Sequence, residues 1–305
     1  MKVVVLGASG MLGWMVLRWL GRDRALAPWA TVRDVRFGAD VVRIAPRCEV
    51  RLLDAETAGV AEIGAVLDGA AYAVNCIGVI KPYIRDDDTV ETQRALRVNS
   101  LFPHLLARAA ALARCHVLQI ATDCVYSGSK GGYVETSPHD ALDVYGKTKS
   151  LGEVHGPYVH HLRCSIIGPE PKGHVSLLDW FLRQPRGAAL KGFTNHRWNG
   201  VTTLHFAKLC HGIVADCMEL PHLQHVVPQG VITKAALLSA FARAHGRTDV
   251  AIEPVAAPTA VDRTLATANP DRNDALWRAA GHAAPPTVEE MVEELASHTS
   301  APEAG

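Results

Sequence analysis

The sequence predicts a doubly wound α/β fold, in which a parallel β-sheet is covered by helices on both faces, with a smaller carboxyl-terminal domain interleaved with it. Short β-branched segments alternate with amphipathic stretches up to about Arg163. Several of these segments are apolar throughout, as strands buried on both faces are. A glycine-rich turn joins the first segment to the first amphipathic stretch. Beyond Arg163, Gly and Pro interrupt short segments, which indicates the second domain.

The elements follow from these patterns in chain order. Strands are expected where β-branched and apolar residues run together, at Lys2 to Leu6, Ala30 to Val32, Glu49 to Leu53, Tyr72 to Cys76, His116 to Ile120, Tyr158 to Leu162 and His225 to Val227. Helices are expected where apolar residues recur at helical spacing, at Met11 to Leu20, Val60 to Leu67, Val90 to Leu112, Val144 to His155, Lys234 to Ala244 and Thr287 to Ala296. The first domain should span residues 1–163 and the second residues 164–305, with segments near 200–230 returning to the first.

Composition and charge narrow the class of protein. The 305 residues carry 31 basic and 31 acidic side chains, so overall charge gives no reason to expect nucleic acid or an anionic membrane as a partner. Hydrophobic residues make up 48%, which suits a sizeable core. No apolar run reaches the roughly 20 residues that span a bilayer, and glycines break the apolar start of the chain. We expect a cytoplasmic protein that acts on small molecules.

The cysteines and histidines give no sign of a metal or disulfide framework. The seven cysteines include no Cys-x-x-Cys pair and several lie in apolar runs, so we expect buried thiols in a reducing compartment. His160 and His161 are adjacent in a predicted strand and therefore face opposite ways. Neither His-x-x-x-His nor His-Glu-x-x-His occurs. We expect no catalytic metal ion.

The glycine-rich turn predicts a dinucleotide site. Gly7, Gly10 and Gly13 follow a strand and open a helix. In that context glycine permits a tight turn, lets the backbone approach a pyrophosphate and seats the helix against the sheet. The helix N-terminus then faces the phosphates. An ordinary strand-to-helix turn is the alternative.

The ends of the second and third strands should contact the adenosine half of such a cofactor. Arg33 favours the 2′-phosphate of NADPH, whereas Asp34 favours the ribose hydroxyl of NADH. We favour NADPH, although Arg33 and Arg36 could equally be solvated surface residues. Asp54 closes the third strand and is placed to accept a hydrogen bond from the adenine amino group. Its alternative role is a cap for the segment that begins near Glu56.

Tyr145 and Lys149 predict acid–base chemistry. They lie four residues apart on a predicted helix, so their polar ends share one face. An ammonium near a tyrosine stabilises the phenolate. The pair is therefore suited to moving a proton, while an amphipathic helix face is the alternative explanation.

Together these motifs resemble the extended short-chain dehydrogenase/reductase superfamily. They comprise the glycine pattern, the pair Val98-Asn99, the run from Ala121 to Tyr126, and Tyr145-x-x-x-Lys149 followed by Gly152-Glu153. Within that superfamily the chain is similar to the dTDP-4-dehydrorhamnose reductases and their nucleotide-sugar relatives. The Thr-Asp-x-Val-aromatic run and the spacing Tyr133-x-Glu135 carry that closer likeness. The resemblance covers nearly the whole chain and is looser toward the carboxyl terminus.

The resemblance implies a catalytic set. Tyr145 would donate a proton to the substrate carbonyl oxygen, with its pKa lowered by the Lys149 ammonium and by the positive charge of the oxidised cofactor. The Thr122 hydroxyl would hydrogen-bond the same oxygen. Lys149 would also hold the nicotinamide ribose, and Asn99 would support the hydrogen-bond network of the site. Taken singly, each could instead be a residue of local structure.

The resemblance also implies that residues 1–163 form an NAD(P)-binding Rossmann domain. The glycine turn would line the pyrophosphate, the end of the third strand the adenine, and the segment after the fourth strand the centre of the cofactor. The implied contacts are Gly7, Gly10, Met11, Leu12, Gly13, Arg33, Asp54, Ala55, Cys76, Ile77, Gly78, Asn99, Tyr145, Lys149 and Ile166. Cys76 and Cys124 should pack as small hydrophobes rather than act in redox chemistry.

The substrate site is expected to involve Thr122, Tyr145 and a polar segment of the second domain. Asn195, Trp198 and Asn199 lie in a segment, read as one loop, that suits a polar sugar or a pyrophosphate. A surface loop is the alternative.

Two cations are further candidates for the substrate site. Arg263 could bind a diphosphate or pair with Asp262, and Lys81 is a weaker candidate. The aromatic residue that the family commonly carries after Arg-x-Ser is replaced here by Ile166-Ile167, so the sugar pocket departs from the family pattern.

The resemblance and the residues together predict reduction, by NADPH or NADH, of a keto group at C4 of a nucleotide-diphospho deoxysugar. A nucleotide-sugar epimerase with tightly bound NAD is one alternative. A non-catalytic, cofactor-binding regulatory subunit is another, although the intact Thr122, Tyr145 and Lys149 argue against it. The long helix from Val90 to Leu112 could pair across a homodimer, and core packing explains the same apolar pattern.

Overall fold

A computed structural model of the chain describes residues 1–300, so the last five residues of the predicted second domain lie outside the described part. The strands are β1 Lys2–Leu6, β2 Ala27–Val32, β3 Glu49–Leu52, β4 Tyr72–Asn75, β5 His116–Ala121, β6 Val159–Arg163, β7 Ile166–Ile167, β8 Ala189–Phe193, β9 His196–Trp198, β10 Val201–Thr202, β11 Leu223–His225, β12 Ile232–Thr233, β13 Ala251–Val255 and β14 Val261–Asp262. Seven of them form a sheet in the order β3-β2-β1-β4-β5-β6-β11. Every pairing in that sheet is parallel, which confirms the predicted fold class.

The α-helices are α1 Met11–Leu20, α2 Gly38–Ile44, α3 Val60–Leu67, α4 Thr89–Ala95, α5 Phe102–Ala113, α6 Val144–Leu151, α7 Leu177–Leu182, α8 Thr203–Ala215, α9 Lys234–Ala244, α10 Pro270–Ala279 and α11 Val288–Ser300. Helices α1, α3 and α9 have the predicted bounds. The helix predicted from Val90 to Leu112 is interrupted, because a π-helical segment at Leu96–Leu101 separates α4 from α5. Within residues 1–300, no helix is both long and apolar enough to cross a membrane.

The two faces of the large sheet carry separate apolar cores. Val3 and Val5 of β1 pack in one core with α1 and α8, whereas Val4 and Leu6 pack in the other with α3 and α5. Successive side chains of a strand point to opposite faces, so a strand buried on both sides must be apolar throughout. This explains the unbroken apolar run of β1.

The order in which successive strands are added to the sheet reverses at β1. β1 pairs with β2 on one side and with β4 on the other, so the chain winds first one way and then the other from this point. Ligands of doubly wound folds bind in the crevice beyond the carboxyl ends of the strands at such a reversal. The segments after β1 and β4 therefore border the expected site.

The second half of the chain returns to the large sheet. β11 pairs with β6 at its edge, and α8 packs against α1. The remaining short strands form the small sheets β10-β7, β12-β9-β14 and β13-β8. The interpretation of the polar segment around Asn195, Trp198 and Asn199 as one loop is thus wrong, since the segment contains β9, β10 and the end of β8. The division at residue 163 stays a prediction.

Candidate active site

The glycine turn after β1 has the shape of a phosphate cradle. Gly7 has a φ of +79°, in the left-handed region that favours glycine. A Cβ on Gly13 would lie 2.2 Å from the Gly7 carbonyl oxygen, so the start of α1 lies directly on the turn. Gly10 is the N-cap of α1 and supplies no side-chain cap. The amides of the first turn, which include those of Met11 and Leu12, are therefore suited to bind an anion.

The charges after β2 favour a phosphate over a ribose hydroxyl. The Asp34 carboxylate accepts hydrogen bonds from the Arg36 backbone N–H at 2.9 Å and from Arg36 Nε at 2.8 Å. These bonds lower the pKa of Asp34 to about 2 and occupy both of its oxygens. The Arg33 side chain is 56% exposed, with Glu56 3.6 Å away. Arg33 is the more accessible of the two predicted ribose contacts.

Lys172 is a cation at this end of the site that the sequence analysis missed. Its Nζ donates to Ser9 Oγ in the glycine turn at 3.0 Å and lies 3.5 Å from the centroid of the Phe37 ring. Burial lowers the pKa of Lys172, and the charge of Arg33 acts in the same direction. Since 163 residues separate Lys172 from Ser9, local sequence carries no signal for this contact.

The segments after β3 and β4 meet beside the glycine turn. Asp54 Oδ1 accepts the Glu56 N–H at 3.0 Å, whereas α3 has Gly59 as its N-cap, so Asp54 makes a turn rather than a helix cap. A Cβ on Gly7 would lie 2.7 Å from Cγ1 of Ile77.

An apolar cluster continues from these segments toward α6. Ala55, Ile77 and Tyr145 all pack against the cluster of Val79, Ile84, Ala95 and Val98. Cys76 is partly buried and burial raises the pKa of its thiol, while Gly78 is exposed. Two of the predicted cofactor contacts, Ala55 and Ile77, thus pack against the same apolar cluster as Tyr145.

Thr122 follows β5 directly. Its hydroxyl accepts the Cys124 N–H at 3.1 Å and donates to Asp123 Oδ1 at 3.2 Å. Asp123 is buried, and burial raises the pKa of its carboxyl group. Asp123 is a polar group beside the Thr122 hydroxyl to which sequence reasoning assigned no role, although its position next to Thr122 was a signal.

Tyr145 lies in the first turn of α6 and Lys149 one turn later. Asp143 caps the helix, since its Oδ1 accepts the Gly146 N–H at 2.7 Å. Lys149 is buried, and its Nζ donates to the Ile120 carbonyl oxygen at 3.2 Å. The predicted catalytic residues therefore come from the end of β5 and the adjacent helix.

Burial is the largest influence on the pKa values of Tyr145 and Lys149. It raises the pKa of Tyr145, with Cys124 acting in the same direction and a hydrogen bond to Thr122 opposing it. The net shift in the chain alone is therefore upward, opposite to the lowering expected from Lys149 and the oxidised cofactor together. Burial also lowers the pKa of Lys149 from 10.5 to about 8, against the attraction of Glu153. Tyr145 stays protonated, as a proton donor must.

Asn99 connects the loop after β4 to α6. Its Oδ1 accepts the Val79 N–H at 2.8 Å and its Nδ2 donates to the Val79 carbonyl at 2.9 Å. A Cβ on Gly152 would lie 2.0 Å from the Asn99 carbonyl oxygen, so α6 approaches the π-helical segment closely. Such segments occur often at functional sites. Here the segment aims the Asn99 amide at the backbone beside the site.

The predicted substrate residues of the second half differ in what they contact. Asn195 bonds the backbone of Ala257 through both ends of its amide, at 2.8 Å each. Asn199 is buried and bonds the backbone of Leu265 likewise, at 2.7 and 2.9 Å. Trp198 is partly buried and its Nε1 donates to Ser165 Oγ at 2.8 Å. The two amides therefore hold loops, and their assignment to substrate stays a prediction.

Arg263 and Lys81 each contact the segment between β5 and α6. Arg263 Nε donates to the Tyr126 carbonyl at 2.8 Å, while Asp262 lies 3.4 Å from Arg197, so the suggested pairing of Arg263 with Asp262 does not form. Lys81 Nζ lies 2.7 Å from Asp143 Oδ2.

Two further expectations concern Ile166 and the cysteines. Ile166 lies in β7 and is partly buried, paired with Val201. All seven cysteines are free thiols, but Cys217 is exposed. The expectation of buried thiols is wrong for Cys217, which follows the end of α8 in a left-handed conformation with a φ of 47°.

Comparison with known proteins gives one family match and several relatives. The family model described as "RmlD substrate binding domain" matches residues 1–156. A dTDP-4-dehydrorhamnose reductase of Burkholderia thailandensis is 28% identical over 159 residues, which are 50% of this chain and 45% of that protein. Methionine adenosyltransferase 2 subunit beta of Mus musculus is 31% identical over 156 residues, 50% of this chain and 41% of that protein. The chain spans about half the length of the curated relatives it matches.

A solved structure matches along nearly the whole chain. The dTDP-4-dehydrorhamnose reductase of Bacillus anthracis, in complex with NADP, has a TM-score of 0.72 and covers 97% of this chain and 99% of its own. Its sequence identity is 17%, so this likeness is one of fold.

Proposed function

The chain belongs to the RmlD substrate binding domain family, and from that premise we propose that it is an NADPH-dependent reductase of a keto group, at C4, on a nucleotide-diphospho deoxysugar. The observation that carries the proposal is the position of Thr122, Tyr145 and Lys149. They lie at the end of β5 and on α6, two strands from the glycine turn that follows β1.

The residues after the first strands fit a phosphorylated dinucleotide. The uncapped start of α1 and the close approach of Gly13 to Gly7 suit a pyrophosphate. Arg33 and Lys172 would hold the 2′-phosphate, since Asp34 is already paired with Arg36. NADH would lack that phosphate and is the alternative cofactor. When bound, the cofactor supplies the hydride.

The chain's own residues would supply the proton. Tyr145, kept protonated by burial, would donate its proton to the carbonyl oxygen of the substrate. The Thr122 hydroxyl would turn from Asp123 and donate to the same oxygen, where negative charge develops. The Lys149 ammonium would stabilise the phenolate that remains. General acid catalysis of this kind contributes about 10²–10⁴-fold in rate.

Arg263 is the residue of the second half that we assign to the substrate diphosphate. Its Nε holds the backbone of Tyr126, which fixes the guanidinium beside the catalytic segment. A guanidinium binds phosphate oxygens in a bidentate manner. Asn195 and Asn199 would have to give up backbone hydrogen bonds to do the same, so we place them outside direct contact.

The experiment combines purified protein with NADPH, and separately NADH, and a panel of enzymatically generated 4-keto-6-deoxy nucleotide sugars. Loss of absorbance of the reduced cofactor reports turnover. We expect the native chain to consume NADPH with one member of the panel. Tyr145→Phe should consume none. Tyr158→Phe, which changes a partly buried tyrosine outside the site, is the matched control. Cofactor binding without consumption of NADPH or NADH across the panel would refute the reductase function.

A regulatory subunit is the second candidate. The likeness to methionine adenosyltransferase 2 subunit beta, which is by name a subunit of another enzyme, favours it. A regulatory role would survive Tyr145→Phe, whereas reduction would not. Conversion of a nucleotide sugar without net consumption of cofactor would instead favour the epimerase alternative.

A further inference from the structure

Three potential metal ligands meet beside the first turn of α8. His205 lies in the first turn of α8, His282 follows α10, and Glu294 lies in α11. One ligand atom from each lies within 4.8 Å of the other two. The three come from segments distant in sequence, so the fold and not a local motif brings them together.

Both imidazoles point an unsatisfied nitrogen into this cluster. Nε2 of His205 and Nε2 of His282 are enclosed, and neither has a hydrogen-bond partner among the residues that the structure describes. His205 Nε2 lies 2.9 Å from Glu294 Oε2, so the two would form an ion pair if the imidazole were protonated and could share a cation if it is neutral. Buried polar atoms are nearly always partnered, so a missing ion or water is the ordinary explanation.

The surrounding groups hold the ligands as the outer groups of metal sites do. Thr202 Oγ1 lies 2.7 Å from His205 Nδ1; if Nδ1 carries the proton and donates it, the Nε2 lone pair points into the cluster. Lys208 Nζ donates to the other oxygen of Glu294, which orients the carboxylate. The Trp277 ring packs against His282 edge-on, with centroids 5.7 Å apart.

We propose that His205 Nε2, His282 Nε2 and one carboxylate oxygen of Glu294 bind a zinc ion that joins α11 to α8. Imidazole and carboxylate ligands suit Zn²⁺, with water as the fourth ligand. An adjoining cavity of about 410 Å³, lined also by Gln229 and Glu290, gives the ion a path from solvent. The charge of Lys208 weakens the site, while Glu290 strengthens it.

The site is structural rather than catalytic. α8 packs against α1, whose first turn borders the dinucleotide site, and α11 packs against α9. A bound ion would therefore link α11 to α8 and, through α8, to α1 of the predicted first domain. The inference does not depend on the proposed reductase activity.

The experiment uses the full chain without an affinity tag, stripped with a chelating resin and titrated with Zn²⁺ against a chromophoric chelator. We expect one ion per chain and a rise in Tm that chelation reverses. His282→Ala should weaken binding by more than about tenfold. His245→Ala is the matched control. His245 Nε2 is also enclosed and has no partner within residues 1–300, and His245 belongs to no potential metal cluster there.

Two outcomes would overturn the proposal. The native chain could bind no Zn²⁺, which would assign a buried water to the cluster, or His282→Ala could bind as tightly as the native chain.

Glu294→Gln is the second variant, since Glu294 is 40% exposed and its replacement leaves the helix surface intact. Its circular dichroism should match that of the native chain while zinc binding falls.

Discussion

Replacing Lys149 with methionine should stabilise the cofactor-free protein while removing its activity. Burial lowers the pKa of Lys149 from 10.5 to about 8, and that difference of about 2.5 pKa units corresponds to about 3 kcal/mol at 1.36 kcal/mol per unit. Below about pH 8, burial of the Lys149 ammonium therefore destabilises the folded chain by this amount relative to the unfolded chain. The Ile120 carbonyl loses its donor, which costs about 1–3 kcal/mol. The net gain at neutral pH is then about 1 kcal/mol.

The pH dependence tests the charge separately from the lost hydrogen bond. Between about pH 8 and pH 10.5 the unfolded chain binds more protons at this lysine than the folded chain does, so its contribution to stability rises with pH across that window. In Lys149→Met the rise is absent. The advantage of the variant should therefore be largest below about pH 8 and shrink by about 3 kcal/mol by about pH 10.5.

Urea unfolding of the cofactor-free native chain and of Lys149→Met, repeated from neutral to alkaline pH, measures the free energy of unfolding. Lys147→Met is the matched control, because Lys147 lies on the same helix and is exposed. Its effect should be small and independent of pH. A stability difference for Lys149→Met that stays constant over the whole pH range would show that Lys149 carries no buried charge, and the reasoning would fail. Reduction should fall by about 10² or more in this variant.

Three other perturbations test the site. Gly13→Ala should abolish NADPH binding, because its Cβ would lie 2.2 Å from the Gly7 carbonyl, whereas Gly64→Ala, whose Cβ meets nothing within 4 Å, should not; cofactor fluorescence measures both. Lys172→Ala should raise the Kd for NADPH by about tenfold and leave that for NADH unchanged, and an equal loss for both would remove Lys172 from the 2′-phosphate. Thr122→Val should lower kcat by about 10²–10³ with the Kd for NADPH unaltered, and a kcat within about twofold of native would exclude its role.

The parts of the fold that sequence predicts well are local. α1 begins at a glycine N-cap and α3 has apolar residues at helical spacing, so both have the predicted bounds. The parallel strands are short apolar runs between such helices. The spacing of Tyr145 and Lys149 puts both on one face of a helix, whereas the role of Thr122 came from the resemblance of its motif to a known family.

What sequence could not predict depends on distant contacts. The π-helical segment at Leu96–Leu101 has the apolar pattern of the helices that flank it, because one extra residue per turn leaves little trace in periodicity. β12 and β14 are two residues long and exist through pairing with β9. Lys172 reaches Ser9 across 163 residues. For the two short strands and for Lys172, a partner far along the chain decides the structure.

The pairing of β11 with β6 has a practical consequence for anyone who divides this chain. The family match ends at residue 156, before β6 begins, so a fragment cut there would leave the apolar strand β5 without its neighbour. A long unpaired apolar edge recruits other chains by strand addition and promotes aggregation. A shortened version should therefore retain both β6 and β11, so that its sheet ends at the same strand as the native sheet.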